Sequence, residues 1–355
     1  MKNYCTSEPF VLESGVVLPT LDITYQTFGQ LNNEHSNVVW IFHALTGDSN
    51  PMEWWPGIVG KGKVIDPDID FIICANTLGS PYGSSSPASI NPLTGNSYGS
   101  DFPFITIRDM VNAQKVLLKH LNIQKIRLGI GGSMGGQQLL EWAIDNPALF
   151  ERICLLATNA KMSPWAIACN ETQRMALSAG KEGIKAARAI AMLTYRTYDI
   201  YNQRQEEESR EILDDFKASS YQQYQGEKFQ NRFDSHSYYC LSKAMDSHHV
   251  GRARGGVANA LARIQAKTLI IGIKSDLLFP IQEQKLLKKH IKNARIKIIE
   301  SIYGHDGFLV ETEIISKTLK KFLKRKRSRN IFKTAIDLPA VSIPKLLRTA
   351  INALL

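Results

Sequence analysis

The sequence has no long apolar run: nothing in its 355 residues approaches the roughly 18 to 20 apolar positions needed to cross a bilayer. A membrane-spanning chain is therefore not expected. Cysteine is scarce, and the five present (Cys5, Cys74, Cys154, Cys169, Cys240) are scattered with no CxxC pair. An odd, dispersed set argues against a disulfide framework and against a zinc site, and three of the five sit in apolar runs where a reduced thiol packs as a small hydrophobe. The first residues, MKNYCTSEPF, hold no apolar segment of the secretory kind. With reduced thiols, this leads to the expectation of a cytoplasmic protein. Metal-ligand spacing is missing too. The nearest candidate, His248-His249, consists of neighbours that diverge on a helix, with no acidic or cysteine companion at coordinating distance. NTLGSPYGSSSP (76–87) is rich in glycine and serine but lacks the lysine of a GxxxxGK[ST] loop, which argues against nucleotide hydrolysis.

What is present is the composition of a globular enzyme. Hydrophobic residues make up 44% and charged residues 21%, enough apolar material for one large domain with an insertion, or for two ordinary domains. The formal charge of +10 is unevenly spread, because residues 320–333 (KKFLKRKRSRNIFK) carry eight Lys or Arg and no acid. Without that run the body is nearly neutral, so the charge gives no argument for nucleic acid; a modest basic surface also suits a phosphate-bearing substrate.

Periodicity gives an alternation of strands and helices. LDITYQTF (21–28), NVVWIFH (37–43), DFIICAN (70–76), IRLGIGG (126–132) and ERICLLA (151–157) read as strands, most of them buried on both faces. Residues 105–121 and 135–147 read as helices, the second stopped before Pro147. Past residue 160 the alternation gives way to polar, helix-prone sequence, including one long stretch at 183–216. It resumes with strands at 267–273 and 295–301, a helix from Pro280, and a helix from Phe308 to about Leu323. The pattern implies an α/β fold with a mostly parallel central sheet and helices on both faces. Residues 1–160 and 256–325 would form the core and 161–255 a helical lid over the strand ends. Residues 326–355 would be a basic tail ending in a short amphipathic helix, with Leu346, Leu347, Ala350, Ile351, Leu354 and Leu355 on one face. Packing on its own or a sister subunit is the preferred role of that helix; docking on a membrane surface is the alternative.

The chemistry is concentrated in Gly131-Gly132-Ser133-Met134-Gly135, a G-x-S-x-G between a strand and a helix. That context fits a nucleophile elbow of the α/β-hydrolase fold, where a strained serine stands clear of the sheet and a helix N-terminus faces a developing oxyanion. Asp276, just past the strand 267–273, and His305, just past 295–301, follow in the order Ser, Asp, His expected of this fold. His305 is thus the expected base and Asp276 its orienting partner. The loop after NVVWIF supplies the second oxyanion donor, so the backbone N–H groups of Leu45 and Met134 form the expected pair; His43 is read as a structural support of that loop.

Read together, these residues resemble the homoserine O-acetyltransferase family over about residues 8 to 320. The resemblance rests on HALTGD (43–48), EWWPGIVGKGKVID (53–66), NTLGSPYGSSSPASINPLTG (76–95), YGSDFPFITIRDMV (98–111), GGSMGGQQLLEWA (131–143), RFDSHSYYCLSKAMD (232–246), SDLLFP (275–280) and YGHDGFLVE (303–311). It implies a ping-pong transfer: acetyl-CoA, a co-substrate and not a resident cofactor, acylates Ser133, and the hydroxyl of L-homoserine takes the acetyl group for methionine synthesis. It further implies that Arg188 holds the homoserine carboxylate, that Asp306 receives its amino group, and that lid helices pair two subunits as a homodimer. From the residues alone, Arg188 reads as a surface arginine on an Ala-rich helix and Asp306 as the cap of the helix near Phe308. The alternatives are an O-succinyltransferase or a serine O-acyltransferase of the same family, since one methylene on an acceptor discriminates by only about 1–3 kcal/mol, or an α/β-hydrolase esterase. The stretch between Leu177 and Gly183 is shorter than in many family members. RARGG (252–256) reads as an ordinary basic loop.

Overall fold

The computed structural model describes residues 1–6 and 8–324; the tail expected at 326–355 lies outside the described residues. Among the described residues there are ten strands: β1 (Lys2–Thr6), β2 (Phe10–Val11), β3 (Val17–Leu18), β4 (Leu21–Phe28), β5 (Val38–Phe42), β6 (Phe71–Ala75), β7 (Ile126–Gly132), β8 (Phe150–Leu156), β9 (Lys267–Ile273) and β10 (Ala294–Ile299). Eight of them form one sheet in the order β1-β4-β6-β5-β7-β8-β9-β10, and β2 with β3 makes a separate hairpin. From β6 to β10 all neighbours are parallel, while β1 and β4 join antiparallel at one edge. The apolar runs explain the centre: every residue of β5 is buried, and of β7 only Arg127 is partly exposed. Two things escaped periodicity: β1, which is mostly polar, and the β2–β3 hairpin, whose two-residue strands are too short to show an alternation.

The sheet switches direction at β5, which has β6 on one side and β7 on the other. Such a switch point, at the C-terminal ends of β5 and β7, is the usual ligand position in open α/β sheets. Helices α1 (Pro51–Trp54), α2 (Ile107–His120) and α3 (Met134–Asp145) follow β5, β6 and β7. α2 starts on a Thr106/Asp109 capping box, and the other Asp109 oxygen accepts the Glu13 amide at 2.7 Å, docking the hairpin segment. Below the switch point, Trp40 and Phe42 meet Trp142 of α3 edge-on at 5.3 and 5.9 Å. The Trp40 indole N–H donates to Gln114 Oε1 at 2.6 Å, so α2 is tied to the same strand.

After β8 the chain leaves the sheet and returns to the next position, β9. Between them lie α4 (Pro164–Leu177), α5 (Gly183–Tyr195), α6 (Tyr198–Gln205), α7 (Lys217–Gln230), α8 (Ser235–Asp246) and α9 (Val257–Ala262). The stretch expected to run helical from 183 to 216 is broken at Arg196, whose backbone is extended, because Thr197 caps a new helix through its side chain. α4 and α8 are held by buried Arg174, which pairs with Asp246 at 2.5 Å and donates to Ser242 Oγ at 2.7 Å. RARGG is docked, not free: Arg252 pairs with Glu13 at 2.8 Å and Arg254 with Glu141, which also meets Arg108. α10 (Ile281–His290) precedes β10. The helix expected from Phe308 to Leu323 is two, α11 (Gly307–Val310) and α12 (Thr312–Leu323), parted at Glu311. All five cysteines are free, and Cys74, Cys154 and Cys169 are buried. Among the described residues no helix is long and apolar enough to cross a membrane.

The turn from β7 into α3 depends on close backbone approach. A Cβ on Gly135 would run into the Phe42 carbonyl, and one on Gly132 would lie 2.5 Å from the Phe308 ring. Gly135→Ala is expected to destabilise the fold by about 3 kcal/mol, as overpacking against unyielding backbone does. Urea unfolding checks it: the midpoint should fall with an unchanged slope, and a wild-type midpoint would contradict the tight approach.

Candidate active site

Ser133 occupies the single residue between β7 and α3 at φ 55°, ψ −127°, a left-handed conformation that a non-glycine residue rarely takes. Such strain costs on the order of 1–3 kcal/mol and must be held from outside. Two hydrogen bonds from the end of β8 do so: the Ser133 N–H donates to the Leu156 carbonyl at 3.0 Å and the Ser133 carbonyl accepts from Thr158 Oγ1 at 2.8 Å, while the same carbonyl takes the first bond of its own helix, from the Gln137 N–H at 3.2 Å. The side chain is thereby aimed off the end of the sheet while the residue remains only 5% exposed.

His305 arrives on the turn after β10, and its Nε2 lies 2.9 Å from Ser133 Oγ. Its Nδ1 lies 2.8 Å from Asp276 Oδ2, on the loop after β9. With the carboxylate accepting the Nδ1 proton, Nε2 is free to accept the serine hydroxyl. Asp276 is itself oriented, since its Oδ1 accepts the Phe279 N–H at 2.8 Å. The imidazole is walled by Tyr195, Phe279 and Phe308, whose ring centroids lie 5.7, 5.3 and 5.4 Å away. Burial pushes the His305 pKa down, but the Asp276 charge and hydrogen bond, with Asp306 adding to them, outweigh it and hold the pKa above its ordinary value. The structure thus brings Ser133, His305 and Asp276 into one hydrogen-bonded line.

The loop after β5 is built on His43. The Nδ1–H of this buried ring donates to the Ala44 carbonyl at 2.8 Å and its Nε2 accepts the Thr77 N–H at 3.0 Å; burial lowers its pKa, consistent with a neutral structural residue. Leu45 follows, and the Gly47 N–H turns back to the Ala44 carbonyl at 2.9 Å. Among the described residues, the amides of Leu45 and of Met134, the first residue of α3, have no hydrogen-bond acceptor. Two spare donors, one at a helix N-terminus, suit an oxyanion.

Arg188 and Asp306 lie beyond the histidine. The Arg188 guanidinium sits 5.9 Å from the Tyr195 ring centroid and 5.3 Å from that of Phe229, and its Nε is buried with no partner among the described residues. That is not the surface arginine its helix suggests. Asp306 makes no side-chain cap for α11; its Oδ2 accepts from Arg196 Nε at 3.0 Å. Arg196 was missed by sequence reasoning, because an arginine just past a helix end carries no signal of its own. Groups of three or more His, Cys, Asp or Glu able to hold a metal are absent among the described residues, and the buried His248 ring is bonded to the Asn159 carbonyl at 3.1 Å.

Comparison with known proteins agrees with this architecture. Residues 37–312 match a family model described as the alpha/beta hydrolase fold. A homoserine O-acetyltransferase of Cyclobacterium marinum is 49% identical over 330 residues, 90% of this chain and 93% of that one. The crystal structure of homoserine O-acetyltransferase from Staphylococcus aureus superposes with a TM-score of 0.79 at 31% identity, covering 92% of this chain and 96% of that one. Esterase E22 superposes at 0.82 with 26% identity, covering 91% and 99%.

A base must be neutral to accept a proton, so with a raised His305 pKa activity should fall as pH drops through a value above about 6.5. Asp276→Asn removes the charge that raises it. Turnover of an activated acetyl ester should then lose about 10³–10⁴-fold at its plateau, and its acid limb should move to lower pH. An acid limb that stays in place in the variant would contradict this account of the histidine.

Proposed function

Because the chain belongs to the homoserine O-acetyltransferase family, and so is an acyltransferase, we propose that it moves an acetyl group from acetyl-CoA to the side-chain hydroxyl of L-homoserine through an acyl-Ser133 intermediate. The observation that carries this reading is the line Asp276–His305–Ser133, at 2.8 and 2.9 Å, with the Asp306 carboxylate next to the histidine in the chain and the Arg188 guanidinium against Tyr195, one of the rings that wall the imidazole. In the first half-reaction Ser133 Oγ attacks the thioester carbon as its proton passes to His305 Nε2. The oxyanion sits between the Leu45 and Met134 amides, each worth on the order of 3 kcal/mol to such a state. Collapse breaks the carbon–sulfur bond, and His305 returns the proton to the departing CoA sulfur. In the second half the homoserine hydroxyl gives its proton to His305 and attacks the ester carbon. Ser133 leaves and is reprotonated, and O-acetyl-L-homoserine is released. The groups the reaction needs are all on the chain, so the reading calls for no resident cofactor, and its substrates place the enzyme in the cytoplasm.

Arg188 presents a guanidinium to the acceptor carboxylate, and Asp306 a carboxylate to its ammonium. Holding the hydroxyl next to the ester carbon while the lid keeps water away favours transfer over hydrolysis. The helical segment 161–255 serves as that lid, and its exposed Met175, Leu193 and Tyr224 offer apolar surface for a second subunit. Hydrolysis is the second reading, favoured by the superposition with esterase E22 at a TM-score of 0.82.

Brief exposure to acetyl-CoA without acceptor should add one acetyl mass to the Ser133 peptide, and Ser133→Ala should remove it. Sustained CoA release should then require L-homoserine. A succinyl mass from succinyl-CoA in place of acetyl would reassign the donor; fast release without any alcohol would favour the esterase reading.

A further inference from the structure

Three consecutive lid residues meet the histidine loop. Gly304, at φ 61°, lies so close to the lid that a Cβ there would be 2.7 Å from the Tyr195 carbonyl oxygen. Arg196 Nε donates to Asp306 Oδ2 at 3.0 Å. The Thr197 hydroxyl donates to the Ile302 carbonyl and accepts from the Ile200 N–H, so the residue that starts α6 also grips the loop carrying His305. Arg196 has a second support, the Tyr221 ring, whose centroid is 5.7 Å from its guanidinium carbon; Tyr221 in turn meets Tyr201 edge-on at 6.0 Å. The ion pair is half sheltered, the Arg196 side chain 27% exposed and that of Asp306 19%, so it is screened less than a surface pair.

We propose that Arg196 is a positioning residue for the acceptor step: it holds Asp306 by Oδ2, leaving Oδ1 for the acceptor ammonium, and balances the carboxylate's charge beside His305. The inference rests on the reading of Asp306 as the ammonium site. Without Arg196 the carboxylate is free to rotate, and the acceptor must then order it on binding. The electrostatic consequence is separate. His305 is faced by Asp276 and Asp306 together with the Ser133 hydroxyl and the Tyr195 phenol; Asp306 is faced by Arg196, with Arg188, Tyr201 and Tyr221 in the same electrostatic neighbourhood. Removing the Arg196 charge leaves Asp306 uncompensated, which favours the protonated imidazole.

The test compares wild type, Arg196→Lys and Arg196→Gln in the full-length enzyme, with pH profiles of kcat and KM for L-homoserine and the rate of Ser133 acylation by acetyl-CoA alone. Both variants should raise the homoserine KM about tenfold, while acylation at alkaline pH falls by less than about threefold. The acid limb should move to higher pH in Arg196→Gln and stay near wild type in Arg196→Lys, which keeps the charge and guards against a folding defect. An unchanged KM in both variants, or an acid limb that does not move in Arg196→Gln, would overturn the proposal. A wild-type enzyme that never acylates Ser133 overturns the acyl-transfer reading as well, and shows it before any variant is made.

Discussion

The hydrogen bond between Ser133 Oγ and His305 Nε2 joins residues 172 positions apart, and most of the architecture can be traced to keeping it at 2.9 Å. Neither side chain is held by its own segment. Ser133 stands in a strained turn that only its neighbours stabilise, with the Leu156 carbonyl and the Thr158 hydroxyl reaching it from the end of β8. His305 is placed by β10 and locked by Asp276 from the end of β9. Parallel pairing of β7, β8, β9 and β10 brings those strand ends to one side, so the register of the sheet sets the catalytic distance. A slip of one residue would turn every side chain of a strand to the other face, which is why the buried, β-branched runs at its centre matter to chemistry as well as to stability.

That dependence explains which parts were legible. The strands at the centre of the sheet are buried on both faces and therefore read as continuous apolar runs, and G-x-S-x-G between a strand and a helix is the context that a nucleophile elbow requires. Ser133, Asp276 and His305 could be placed because each follows such a run. The edge was not legible: Lys2–Thr6 forms a strand only because β4 offers a partner, and a sequence window does not contain the partner. Helix breaks were missed for a similar reason. The stretch 183–216 is helix-prone throughout, yet Thr197 finds a better bond as a cap and to the Ile302 carbonyl than inside a longer helix. Arg188 and Asp306 were legible only by resemblance. The surroundings that give them meaning are assembled in space: Tyr195 stands two turns beyond Arg188 on α5, Phe229 comes from α7, and Arg196 reaches Asp306 from 110 residues away.

The lid is more than a cover. The segment packs on an apolar centre that includes Phe229, Phe233, Tyr238 and Leu241, and buried Arg174 bridges α4 and α8 through Asp246; a buried pair of this kind constrains geometry more than it adds stability. Held in one arrangement, the proposed lid fixes Arg188 between the Tyr195 and Phe229 rings and Arg196 on Asp306. A loosely packed apolar lid of the same size would exclude water equally well but could not present two cations in register.

The triad by itself does not decide between water and an alcohol as the group that takes the acyl chain away, and esterase E22 superposes on this chain as well as an acyltransferase does. What distinguishes the fates must therefore lie in groups that recognise the acceptor. An amino acid acceptor is a zwitterion, and desolvating both its charges in a closed site is costly unless opposite charges are already waiting. In the proposed reading Arg188, with a buried Nε lacking any partner among the described residues, is such a charge. Asp306 is the other, but an unpaired carboxylate there would pay its own desolvation and raise the basicity of His305 further. Pairing it with Arg196 resolves both difficulties, and in the proposed reading it makes the commitment to transfer a property of the contact between residues 195–197 and the histidine loop.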